Sequence, residues 1–231
     1  MQLTPDDTIV LELGALRLNA TIVSTWIVMA VLVGLSWLAT RRLRPDAPPD
    51  RWRNTLEILV KLIEEQIHAV TRRAVHRVMY FAGTLFLFIA MSNILALVPG
   101  FKSPTGSLST TVALTLAVLL AVPAFGIAHG GPRQYLAKFG QPSLFLLPLN
   151  LLGELSKAVS LSIRLYGNVM SGAVIAAILL GVAPFFFPVV MNLFSLLVGV
   201  IQAYIFAILA AVYISSAMAD PPTENEQDCA P

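Results

Sequence analysis

Apolar runs long enough to cross a bilayer decide what this chain can fold into. About 30 Å of hydrocarbon takes about 20 predominantly apolar residues in a helix. About five such runs lie along the sequence, at roughly 20–40, 78–98, 108–128, 143–180 and 186–219. The whole chain is 57% hydrophobic and only 12% charged, with a mean hydropathy of +0.78. A soluble domain carries about a quarter charged residues. Too little polar surface remains to clothe a water-soluble globule, so the expected fold is an all-α polytopic membrane protein. It forms one membrane domain over residues 1–231, with about five embedded helices and one interfacial helix.

The runs differ in kind. The first, TIVSTWIVMAVLVGLSWLAT, stops at Arg41, Arg42 and Arg44. The next two are separated by the turn-rich PGFKSPTGS and read as an antiparallel helical hairpin over 78–128. The last two, together 143–219, are split by Gly181, Pro184 and Pro188. At about 1.5 Å per residue each would exceed about 50 Å as a continuous helix. They must tilt strongly, bend, or run partly outside the hydrocarbon.

Segment 52–75 is amphipathic. Leu56, Leu59, Val60, Ile63, Ile67, Val70 and Ala74 recur at helical spacing, while Glu57, Lys61, Glu64, Glu65, His68, Arg72 and Arg73 take the other faces. Such a helix lies at the membrane surface or against a partner. Glu57 and Lys61 form an i,i+4 pair on its wet side, and His68 reads as a solvated polar-face residue.

Nine of the fifteen Lys and Arg residues fall between Arg41 and Arg77, and Arg133 and Lys138 follow the third run. The positive-inside rule makes both regions cytoplasmic. The acidic N-terminus and the loop with Lys102 are then outside, and the C-terminus is cytoplasmic. The N-terminus lacks the basic region of a cleaved signal, so the first run is expected to stay in the mature protein. The tail 220–231 is polar, proline-containing and expected to be disordered. Cys229 stands in that tail as the single cysteine. It has no intrachain disulfide partner. A net charge of +2 gives no reason to expect nucleic acid. His68, His76 and His129 are scattered at segment ends, which speaks against a membrane enzyme or a metal site, and no cofactor is expected.

Only Glu154, Lys157 and Arg164 are ionisable and deep in apolar sequence. A charge at the bilayer centre costs about 2.5–3.5 kcal/mol even on insertion scales, and such groups mark ion or proton paths. Arg164 sits near the middle of its run and does not lose its proton. Glu154 lies about 15 Å and about 280° away along a helix, too poorly placed to pair with it. Lys157, at i+3, suits Glu154 better. The partner of Arg164 is then a carboxylate on another chain, or water in a cavity.

Polar residues continue around it. Asn150, Glu154, Lys157, Ser160, Arg164, Asn168 and Ser171 follow steps of three and four and trace one stripe. In the last run Asn192, Ser195, Gly199 and Gln202 make a second line. Two such stripes can enclose an aqueous route, or can hydrogen-bond across helices as packing contacts. Gly167, Ser171 and Gly172 add small residues that let another helix approach, within the chain or outside it.

The run LSKAVSLSIRLYGNVMSG, 155–172, resembles the signature of the membrane-embedded a subunit of F-type ATP synthases, close to SKPVSLxxRLFGNxxAG. TWIVMAVLV, NILALVPGFKSPTGSLSTT and IQAYIFAILAAVYIS look like the same family, in the same order along nearly the whole chain. The resemblance implies a stator subunit in a bacterial inner membrane. It would lie against a c-subunit ring and be held by b-type peripheral stalk subunits, without being catalytic itself. The family's essential arginine falls on Arg164, which would release the ion from a c-subunit carboxylate and separate two aqueous half-channels. The family's Asn and Gln fall on Asn168 and Gln202. Glu154, Lys157 and Ser160 would lie toward the cytoplasmic half-channel.

The departures are specific. Ala173 and Ser195 stand where many members carry titratable outer-channel groups, Ala158 replaces a proline, and Tyr166 a phenylalanine. Water with Ser171, Asn192 and Ser195 would then serve the outer route, with protons as the expected ion and Na⁺ as the alternative. A self-contained channel or secondary transporter is the competing class. Inverted repeats or broken helices in matched halves would favour it, and neither is visible.

Overall fold

The computed structural model describes residues 9–13, 16–41, 75–98, 101, 103–140, 147–182 and 187–218, with single positions between 54 and 68. Its body is helical. Among the described residues five long helices follow one another: α1 (Ala20–Arg41), α2 (Val75–Leu95), α3 (Leu108–Gly140), α4 (Leu147–Val182) and α5 (Phe187–Met218). All five are long and apolar enough to cross a membrane. The chain is therefore a multi-pass membrane protein, as its apolar runs require.

One element was not expected. An antiparallel pair of short strands, β1 (Ile9–Leu13) and β2 (Leu16–Asn19), precedes α1, with Glu12 opposite Arg17 and Leu13 opposite Leu16. Five and four residues are too few for the period-two pattern to stand out beside a run of twenty.

Helix α2 packs most extensively on α5, and α3, α4 and α5 pack on one another, while α1 touches the body through α2 and the α2–α3 turn. Lipid supplies no hydrophobic drive between helices, so close packing must hold them together. Ala203, Ala207, Ala210 and Ala211 repeat along the inward face of α5 and are buried against Val78, Ala82, Leu85 and Ile89 of α2. Small side chains there let the two backbones approach. Leu161 and Leu165 of α4 join the same core.

Two breaks shape the ends. Within α3, Gly131 has φ +81°, a left-handed conformation that glycine adopts without penalty, and Pro132 follows it. The helix kinks there, at the start of the polar patch foreseen after the third run. Part of the α2–α3 connection is folded into the protein. Residues 103–107 are all buried, around a 3₁₀ turn at Pro104–Gly106. Ser103 Oγ donates to the Ser92 carbonyl at 3.2 Å and pairs with Thr105 Oγ1 at 2.7 Å, satisfying groups that burial would otherwise strand.

Of segment 52–75, eight positions from Asn54 to His68 are described; all are helical and none is buried. The foreseen Glu57–Lys61 pair forms at 2.9 Å, and the neighbouring Glu57 carboxylate raises the Lys61 amine above its ordinary value. Tyr204 Oη of α5 donates to Gln66 Oε1 at 2.7 Å, tying this segment to the last helix. The tail 220–231 lies outside the described residues.

Candidate functional site

The α4 helix turns Leu161, Ser162 and Leu165 inward and Ser160, Ile163 and Arg164 outward. Ser162 Oγ lies 3.4 Å from Thr111 Oγ1 of α3, which helps fix the rotation of α4 on its neighbours. Arg164 is exposed, and among the described residues no ion pair or hydrogen bond reaches it. Leu155, Val159, Ile163, Ile175 and Ile178 of the same helix are exposed too. Within the apolar span of α4 only Leu161, Ser162 and Leu165 are buried. An 18-residue apolar stretch of it is 6% buried inside the chain, against 17% for α1, 39% for α2 and 33% for both α3 and α5. The helix with the deep cation is thus the one least covered by its own protein.

On the N-terminal side of Arg164, Lys157 Nζ meets Glu154 Oε1 at 3.0 Å, the pairing that i,i+3 spacing predicts. The same Nζ stands 5.4 Å from the ring centre of Tyr213, a cation–π contact that holds the lysine toward α5. Glu154, Lys157, Thr115 and Tyr213 line a small recess.

A larger recess opens on the other side. A cavity of about 230 Å³ is lined by Asn168 and Ala173 of α4, Asn192 and Ser195 of α5, Asn93 of α2, and Ser103 and Gly106 of the buried turn. Among the described residues no hydrogen bond reaches the side chains of Asn168, Asn192 and Ser195. No carboxylate or imidazole among the described residues lines this cavity. Beside it α4 and α5 approach closely: a Cβ added to Gly172, another lining residue, would collide with Ser195 Oγ.

The structure therefore gathers part of the expected set. Asn168, Asn192 and Ser195 come together, as do Glu154 and Lys157. Ser160 and Ser171 stand on the exposed side with Arg164, and Ser171 Oγ donates to the Asn168 carbonyl at 3.1 Å. Gln202 is only 7% exposed, and its Nε2 has no partner. Of the two polar stripes, Asn168 meets Asn192 and Ser195 at the cavity. Asn93 and Ser103 were not singled out from sequence; an asparagine inside an apolar run is the signal that marks Asn93.

The fold and site define a polytopic helical membrane protein with an unpaired arginine flanked by two polar recesses. Residues 22–215 match the family model described as ATP synthase A chain. The chain is 51% identical over 217 residues to ATP synthase subunit a 2 of Acaryochloris marina, covering 94% of this chain and 93% of the relative. It is 51% identical to ATP synthase subunit a 1 of Crocosphaera subtropica, covering 94% and 95%, and 49% identical to ATP synthase subunit a of Albidiferax ferrireducens, covering 94% of each. The chain belongs to the ATP synthase a-subunit family, a non-catalytic component of the membrane sector.

Proposed function

We propose that this chain is the ion-translocating stator of a rotary F-type ATP synthase, with Arg164 facing the carboxylate of a c-subunit ring. One observation carries this reading: the least covered helix bears, mid-span, a permanent cation without an anion of its own. A ring carboxylate arriving deprotonated would supply that anion. Its attraction to Arg164 favours release of the bound ion, and the fixed positive charge keeps a free cation from passing straight between the two recesses.

The positive-inside orientation puts the α2–α3 turn outside and the start of α4 in the cytoplasm. The cavity at Asn168, Asn192 and Ser195 then belongs to the outer half-channel, with Ser171 nearby. Glu154, Lys157 and Ser160 belong to the inner one. Gln202 borders the ring-facing site from the neighbouring helix. The bacterial inner membrane, N-terminus outside, and b-type stalk subunits complete this reading.

Protons are the proposed coupling ion, relayed by water at the neutral outer cavity. The same amide and hydroxyl oxygens favour a second reading, Na⁺, because a hard cation takes oxygen ligands.

Cysteine crosslinking tests the assignment in the assembled complex with Cys229→Ser. Cysteines at Ser160, Ile163 and Ser171 should trap a small two-helix proteolipid, while one at the buried Leu165 should not. Crosslinks only to other copies of this chain would favour a self-contained channel.

A further inference from the structure

Asn93 is 6% exposed, within an apolar span, and it joins two parts of the molecule. Its Nδ2 donates to the backbone carbonyl of Gly199 on α5 at 3.0 Å. Asn93 also lines the outer cavity. Gly199 makes this contact possible: a Cβ there would lie 2.8 Å from Asn93 Cγ and 2.9 Å from its Nδ2, closer than real Cβ atoms come.

The place on α5 matters. Gly199 follows Ser195 by four residues and precedes Gln202 by three, so all three share one helix face. A helical carbonyl keeps a second lone pair after its intrahelical bond, and Asn93 uses it. One bond from the α2–α3 hairpin thereby fixes the height and rotation of that face. The close fit of Gly172 on Ser195 holds the same face against α4. Between helices in lipid, interhelical hydrogen bonds and tight packing are what set such geometry.

We infer that Asn93 is a positioning residue for ion passage: its bond to the Gly199 carbonyl sets the rotation of the Ser195–Gly199–Gln202 face and so the shape of the outer cavity. This rests on the stator reading above.

The test uses intact complexes with Cys229→Ser in liposomes, all values normalised to assembled complex. Passive flux through the membrane sector is driven by a K⁺/valinomycin potential after removal of the soluble sector, and read with a pH dye and with ²²Na⁺ in separate arms. The rotation of α5 is read as the rate at which a membrane-impermeant thiol reagent modifies Ser195→Cys and Asn192→Cys. Gly199→Ala should cut flux in the conducting arm roughly tenfold and change the modification rates, as expected of a small displacement at a geometric site. Asn93→Asp, which keeps the shape and loses the donor, should change those rates in a complex that still assembles. Asn93→Ala removes the carboxamide that Gly199→Ala would strike, so the double variant should conduct like Asn93→Ala alone. Independent effects of the two substitutions, or unchanged modification rates in Asn93→Asp, would overturn the inference. Arg164→Ala is measured alongside: if it retains coupled synthesis the stator reading itself fails, whereas an uncoupled Arg164→Ala with unaltered Asn93 variants defeats only the positioning role.

Discussion

Gln202 and Arg164 present opposite electrostatic problems. Arg164 is a charge held outward without a counter-ion among the described residues, whereas Gln202 is a neutral amide held inward with its Nε2 unbonded among them. An unsatisfied buried donor costs about 1–3 kcal/mol. Gln202→Leu removes that cost, so assembly of the complex should be unchanged or improved while ion translocation falls. Ser195→Ala should impair translocation less, because Asn168 and Asn192 still line the cavity. Pumping and assembled yield measured on both variants check this split; equal, negligible effects on pumping would make the α5 polar line a packing feature. Sequence pointed to both residues through their positions in apolar runs. Periodicity alone did not tell which of them faces out.

At the scale of elements, the apolar runs foretold the spans closely. The run 186–219 became Phe187–Met218 and 143–180 became Leu147–Val182, because twenty or more apolar residues with few charges have no other stable form in lipid. The turn at 103–107 was less legible. Its Ser, Thr, Pro and Gly composition reads as a turn and does not tell that its hydroxyls find partners inside the protein. The cavity depends on that turn and on Asn93, residues that lie about ninety to a hundred positions before Ser195 in the sequence. A helix apolar all round also hides which side meets protein, lipid or a partner. Helix α5 solves its own packing with alanines, and Ala207→Leu should force it away from α2. Overpacking of this kind costs about 1–3 kcal/mol. Reduced thermal stability of the detergent-solubilised complex, with Leu197→Ala on the exposed side as the unaffected control, checks the expectation.

At the scale of the whole molecule, two helices outrun the membrane. The apolar spans of α4 and α5 are each 30 residues, about 45 Å long, against about 30 Å of hydrocarbon. Tilt or curvature relieves the mismatch. Tilted helices present a long side to a neighbour, and the exposed side of α4 carries Arg164. The neutral outer cavity bears on ion choice. Pumping by the intact complex with and without Na⁺, in the presence of a protonophore, separates the two ions: acidification abolished by the protonophore and indifferent to Na⁺ marks a primary proton pump, whereas protonophore-resistant Na⁺ uptake marks Na⁺. Arg164 itself offers the most direct measurement, coupled ATP synthesis by an Arg164→Ala complex whose c-ring still co-purifies. Loss of the deep cation should abolish synthesis in that assembled complex; synthesis at the wild-type rate would contradict the assignment of Arg164 as the residue that releases the ion.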